Sequence, residues 1–380
     1  MFINLLQTLS EKIKSAFSII LPGNKEVKLG EQYGDSAFQI RVNNKKGLSA
    51  LKSGDELKIS EAYIYGDIDL EGHIDMLKLL EITRLFTRNY PFVIALSRIS
   101  YFFNNQLLIN KKSISQHYEF DNDFYLMFLD KTRTYSHGIF IDDNESHEQA
   151  ENRKLEFALT SCHLSPGQRA LDIGAGWGNI VEYVGSRGIH VDAVTLSDKS
   201  ENFIAQLIRE KNLSNCRVMK IDFLQYSLPK GEKYDALFSL GTLEHLPDYK
   251  RALKKCAELL KDGGYAYFDA SAKITGERGS YFIERHIFPG NHELLDVYKF
   301  IEAVRNSPFE LMFVNNDTHS YYLTLMHWAI NLDKHKDEII KRWGKTLYRK
   351  FQLYFWGCCF GMLHNEIQAY RVVLRKREAN

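Results

Sequence analysis

The stretch Leu171-Asp172-Ile173-Gly174-Ala175-Gly176-Trp177-Gly178 constrains the fold more than any other part of this chain. An apolar run ends in a carboxylate, passes through three glycines at alternate positions and runs on as a helix. Glycines at such a point let the backbone turn sharply and approach a ligand closely. The surrounding pattern has the same character. A helix is expected over 147–162, then a strand ending at Gly174, a helix near 178–187, a strand over 190–196 and a helix over 198–212. Strands over 216–221 and 234–240, a helix over 249–261 and a strand over 264–270 follow. Strands alternating with helices predict a parallel sheet covered on both faces.

The rest of the chain reads differently. Phe2, Leu5, Leu6, Leu9, Ile13, Phe17 and Ile20 recur at helical spacing, with Leu21-Pro22-Gly23 as a stop. Such a helix either lies on a membrane surface or packs on its own domain. Residues 26–70 hold short strand-like runs, such as Phe38-Gln39-Ile40-Arg41-Val42 and Leu57-Lys58-Ile59, and 72–88 reads as a helix. These predict a small α+β domain over 1–88, a helical linker over 89–115 and a main segment over 116–380. The tail Phe351–Met362 is apolar on most sides and reads as a core helix.

Composition excludes several classes. Of 380 residues, 49 are Lys or Arg and 48 are Asp or Glu, a net charge of +1, so no global field draws the chain to nucleic acid. No run approaches the 18 apolar residues that a spanning helix needs, and the N-terminus lacks the features of a secretory signal. Cys162, Cys216, Cys256, Cys358 and Cys359 show no zinc-type spacing; no metal is expected, and the cysteines read as buried thiols of a reducing, cytoplasmic compartment.

An Asp at the strand end, with glycines in the pattern G-x-G-x-G, resembles the class I S-adenosylmethionine (SAM) methyltransferases. Further motifs resemble one family in that class, the cyclopropane fatty acid synthases. These are Gln116-His117-Tyr118-Glu119-Phe120-Asp121-Asn122-Asp123-Phe124, Thr134-Tyr135-Ser136, Val194-Thr195-Leu196-Ser197, Gly241-Thr242-Leu243-Glu244-His245, Ile287-Phe288-Pro289-Gly290, Thr324–Trp328 and Gln368–Val373. The likeness runs from about residue 26 to the C-terminus. It implies a Rossmann-like α/β fold with helices on both faces and a small N-terminal α+β domain, which would serve membrane association or dimerisation. It implies SAM as cofactor, held by Tyr135, Ser136, Asp172, Gly174, Gly176, Gly178, Thr195, Leu196, Asp222 and Phe223.

The implied reaction adds the SAM methyl carbon to the cis double bond of an unsaturated phospholipid acyl chain. An alkene is a weak nucleophile, so the route passes through a carbocation and needs an apolar site with one well-placed base. Aromatic faces stabilise the cation; the chain has 24 Phe and 21 Tyr. The resemblance places the enzyme in the cytoplasm, peripheral on the inner face of the membrane. It also makes 351–362 a candidate wall of the acyl channel.

In that family the base is generally a bound bicarbonate. Of its pocket, the glutamate corresponds to Glu244 and the tyrosine to Tyr321, and His245 follows the glutamate. The family's cysteine is here His137, its histidine is Asp269, and a glutamine of the second-strand loop is Ser200. An aspartate near Glu244 repels an anion. Three outcomes follow: His137 or Asp269 is a built-in base, the proton leaves another carbon to give a methyl-branched product, or Asp269 only supports His137. A direct His137–Asp269 coupling is expected. Two other functions stand beside this one, a small-molecule C- or N-methyltransferase and a SAM-binding lipid protein without turnover.

Overall fold

A computed structural model describes residues 2–36, 38–72, 75–88, 122–274, 280–288 and 293–378. The expected linker 89–115, the segment Gln116–Asp121 and the Pro289-Gly290 pair lie outside them. The described residues form two compact units. One takes in 2–88, 280–288 and 332–360; the other takes in 122–274, 293–331 and 361–378. The first unit thus includes two stretches that the sequence reading assigned to the main segment.

The first unit has a four-stranded sheet in the order β2-β1-β3-β4, from β1 (Phe17–Leu21), β2 (Lys25–Leu29), β3 (Gln39–Val42) and β4 (Ile68–Glu71). Two expectations are corrected here. The opening helix runs only over Phe2–Ile13, and Phe17 and Ile20 lie on β1. Lys14, at φ 50°, breaks the helix, and β1 then turns through Gly23 (φ 89°) and Asn24 (φ 60°) to pair with β2. Leu57-Lys58-Ile59 is helical, within Glu56–Ile64. Three residues are too few to tell period 2 from period 3.6, and Asp55 accepts a capping bond from the Lys58 N–H. Of the two readings of the opening helix, packing on its own unit holds. Leu6 and Leu9 are buried with Phe17, Ile19 and Phe38 in one core, against which Leu353 and Trp356 of the helix Lys345–Leu363 also pack.

The second unit is the α/β body that the glycine run predicts. Its strands are β5 (Arg169–Ile173), β6 (His190–Thr195), β7 (Cys216–Lys220), β8 (Tyr234–Leu240), β9 (Leu260–Lys273), β10 (Phe309–Asn316) and β11 (Ile367–Lys376). They form one sheet in the order β10-β11-β9-β8-β5-β6-β7. Strands β5 to β9 are parallel, and β11 and β10 add antiparallel at one side. The apolar residues of β5, β6 and β8 are buried to both faces, as in a sheet covered twice. Chain order reverses between β5 and β8, which opens a crevice at the carboxyl ends of these strands. All five cysteines are free and buried.

Candidate active site

The crevice is built first by the glycine turn. Gly174, Gly176 and Gly178 have φ of 76°, 51° and 74°, a region that favours glycine. A Cβ on Gly174 would lie 2.5 Å from Thr242 Oγ1, which itself donates to the Ile173 carbonyl at 3.0 Å. The position therefore ties the end of β5 to the loop after β8. Around a Cβ on Gly176 there is nothing within 4 Å, so the turn is open where a ligand would approach. Ser200 donates to the Gly176 carbonyl at 2.6 Å and holds the turn.

Asp172 is buried at the end of β5, and its Oδ2 has no hydrogen-bond partner. Burial pushes its carboxyl up to about 7. An orphaned carboxylate beside an open glycine turn fits a cationic ligand, and SAM carries a sulfonium and an ammonium. A nearby cation favours the ionised form. Binding of SAM should therefore release a proton near neutral pH and tighten as pH rises through about 7. Calorimetry in buffers of different ionisation enthalpy measures this directly, and Asp172→Asn should abolish the proton release.

The other cofactor candidates are spread along the same edge. Thr195 is buried at the end of β6 and Leu196 is half exposed. Asp222 follows β7 and accepts from the Leu224 N–H at 2.9 Å. Phe223 is buried in the core that includes Ile173, Val194 and Leu243. Tyr135 stands among aromatic rings, with centroids 5.0 Å from Trp328, 5.6 Å from Tyr125 and 5.8 Å from Trp177. A Cβ on Gly241 would lie 3.3 Å from the Ser136 Cβ, so the segment 134–137 runs beside the end of β8.

Glu244 lies in a single helical turn, Leu243–His245, just after β8. It is buried. The Ser271 N–H donates to its Oε1 at 2.7 Å, and Oε2 has no partner. Burial, reinforced by the charge of Asp269, pushes its carboxyl up to about 7. His245 is half-buried on the same turn. Tyr321 lies on the helix Thr318–Lys334, with its ring 5.1 Å from that of His137 and 6.2 Å from Trp328.

The expected pairing of His137 with Asp269 is not made. His137, fully buried, has Nε2 3.2 Å from Asp317 Oδ2. Asp269, also fully buried, accepts from the Gly241 N–H at 2.8 Å and the Tyr267 hydroxyl at 3.4 Å, and lies 3.8 Å from Lys154 Nζ. Strand pairing decides this. Asp269 sits on β9 opposite Leu240 and Arg371, while Asp317 follows the edge strand β10 and donates its N–H to the Ala369 carbonyl on β11.

Sequence reasoning missed five residues around the site. Lys154 is fully buried; it donates to Ser136 Oγ at 2.7 Å and lies 3.2 Å from Glu151, which is bound in turn by His147 Nε2 at 3.1 Å. Arg371 Nε lies 3.1 Å from Asp317 Oδ2. One signal was present. His147, Glu151 and Lys154 share a helical face with the core residues Leu155 and Ala158. Charges in step with an apolar stripe mark a buried ionic network. Asp317 and Arg371 gave no such signal.

A model of the mycolic acid cyclopropane synthetase family matches residues 106–372. The chain belongs to that family, within the class I SAM-dependent methyltransferases. A domain family of unknown function matches residues 4–87. The chain is similar to a probable fatty acid methyltransferase of Mycobacterium tuberculosis, 27% identical over 273 residues. That match covers 70% of this chain and 62% of the relative, so the chain spans less than two thirds of that protein. It is 29% identical over 267 residues to cyclopropane mycolic acid synthase 1 of the same organism, covering 65% of this chain and 90% of the synthase. Among solved structures it resembles the cyclopropane synthase CmaA1 in complex with S-adenosylhomocysteine and CTAB, with TM-score 0.64 and 26% identity, over 70% of this chain and 98% of that one. Among the described residues no helix is long and apolar enough to cross a membrane, and no cluster of His, Cys, Asp and Glu is disposed to hold a metal.

Proposed function

We propose that this family member transfers the methyl carbon of SAM to the cis double bond of unsaturated phospholipid acyl chains, giving a cyclopropane or methyl-branched product. The observation that carries this reading is a pair of buried groups with unpartnered polar atoms, Glu244 just after β8 and His137 on the segment that runs beside the end of β8. A site that must shelter a carbocation and then accept one proton needs such dry, charge-bearing surroundings. When bound, SAM supplies an electrophilic methyl group strong enough for an alkene.

Each group has a place in this reading. Tyr135, Ser136, Asp172, Gly174, Gly176, Gly178, Thr195, Leu196, Asp222 and Phe223 form the cofactor edge. The rings of Tyr135, Tyr321 and Trp328 offer π faces to a cationic carbon. Glu244 places negative charge near it, with Asp269 and His245 on the flanking β9 and turn. The enzyme works from the cytoplasmic face of the membrane as a peripheral protein, with the first unit serving attachment or dimerisation.

The test is lipid mass spectrometry on a bacterium that lacks its own cyclopropane synthase and expresses this chain. Unsaturated acyl chains heavier by one CH2 are expected. Mild hydrogenation then separates a ring, which survives, from a methyl-branched alkene. Unchanged lipids from a folded, SAM-binding protein would overturn the reading in favour of a small-molecule substrate.

A further inference from the structure

We infer that the site contains its own proton acceptor: the His137 imidazole, held in one tautomer by Asp317, takes the substrate proton, so that turnover needs no bicarbonate. This rests on the lipid-methylation reading above.

The geometry points one way. Asp317 is buried and gripped from three sides, by His137 Nε2 at 3.2 Å, by Arg371 Nε at 3.1 Å and by the Asn315 side-chain amide, which donates to Oδ1 at 2.6 Å. Burial works against its charge, but the hydrogen bond from His137 and the charge of Arg371 help to lower its carboxyl below the ordinary value. An ionised carboxylate only accepts, so Nε2 carries the hydrogen; in the neutral ring the lone pair then lies on Nδ1. That Nδ1 is buried and has no hydrogen-bond partner. The ring lies against Tyr321, and Ser136 precedes it in the chain. A carboxylate that fixes an imidazole tautomer and steadies the imidazolium is the arrangement of the Ser-His-Asp triad, reached here without the nucleophile.

Asp269, a competing acceptor, is engaged elsewhere. It is occupied by the Gly241 N–H, the Tyr267 hydroxyl and Lys154. Glu244 has Oε1 held by the Ser271 N–H and Oε2 without a partner, so it is the remaining rival acceptor, and the His137→Gln variant and the histidine spectrum below separate the two.

The alkene π pair forms the new carbon–carbon bond as the methyl carbon leaves sulfur, and the adjacent carbon becomes cationic. A C–H bond of the new methyl then breaks. Its electron pair closes the three-membered ring, and the Nδ1 lone pair takes the proton to give an imidazolium beside the Asp317 carboxylate. Asp317 is a positioning residue in this scheme, and Arg371 balances its charge.

The experiment uses the full chain, SAM and vesicles of dioleoyl phosphatidylethanolamine and phosphatidylglycerol. Wild-type turnover in carbon-dioxide-free buffer should match turnover in 20 mM bicarbonate, within about twofold. Strict bicarbonate dependence would overturn the inference and leave the lipid reading standing. His137→Gln should lower kcat by about a hundredfold, within the range for loss of a general base, while SAM affinity stays within about twofold. Asp317→Asn should lower kcat with KM unchanged. The 15N spectrum of histidine-labelled wild type is independent of substrate and of any variant: His137 should show an unprotonated Nδ1. A protonated Nδ1 would overturn the inference even if lipids prove not to be the substrate, and unmodified lipids with the expected spectrum would sink only the lipid reading.

Discussion

Glu244→Gln is expected to lower turnover about a thousandfold while leaving the chain folded and SAM bound. Glutamine keeps the shape, and its carbonyl still accepts from the Ser271 N–H that now holds Oε1 at 2.7 Å. What is lost is negative charge in a buried site, where preorganised charge near a developing cation counts for most; loss of one such group typically costs 10²- to 10⁴-fold. The pH dependence follows from the same carboxyl. It is pushed up to about 7, so wild-type turnover should rise through neutral pH as Glu244 ionises, and the variant should lose that rise. Stability has the opposite slope. Between the ordinary value of 4.5 and about 7 the folded chain holds more protons than the unfolded one, so this group lowers stability as pH climbs. Glu244→Gln removes that slope. Steady-state kinetics and urea unfolding across pH 5 to 9 (roughly the span in which the group titrates) measure both. A variant within tenfold of wild type would remove Glu244 from the reacting centre.

Lys154→Met should destabilise the protein by about 3–5 kcal/mol, the usual loss when one partner of a buried ionic network is removed. Lys154 is fully buried and so are its neighbours Glu151 and Asp269. Without the ammonium, two carboxylates face each other in a dry interior, and Ser136 loses its donor. Burial and entropy loss make such networks poor net contributors, yet breaking them is costly because charge is stranded. The double variant Lys154→Met, Glu151→Gln should recover much of the loss, since it strands one charge fewer; the coupling is read from a double-mutant cycle by chemical denaturation. A loss under about 1 kcal/mol would mean that water reaches the network. Because Ser136 lies beside Gly241, the single variant should also weaken SAM binding.

Much of the second unit was readable along the chain. The expected strand ends at 174, 196, 221 and 240 fall within a residue of those observed, because apolar runs bounded by glycine and polar residues have few other solutions. Strand β9 is longer than expected, Leu260–Lys273, since Leu260 pairs with Tyr234 across a register shift and β11 pairs with Ser271–Lys273 at the far end. In the first unit the reading failed where elements were short. Phe17 to Leu21 satisfied a helical period and a strand period at once, and pairing with β2 and β3 decided the matter.

The site divides along the same line. Asp172, the three glycines and Glu244 were legible because each depends on local backbone: a strand end, a turn at positive φ, a short helical turn. His137 and Asp269 were also marked, but their partners were not. Asp317 lies 180 residues beyond His137. Arg371 comes from the penultimate strand of the sheet, and Lys154 from the helix before the first parallel strand. Local propensity and turn chemistry determined the strand-turn-helix edge that receives the cofactor. Which buried charges face each other was decided only by the tertiary structure, because a buried charge must find a partner wherever sheet order brings one within reach.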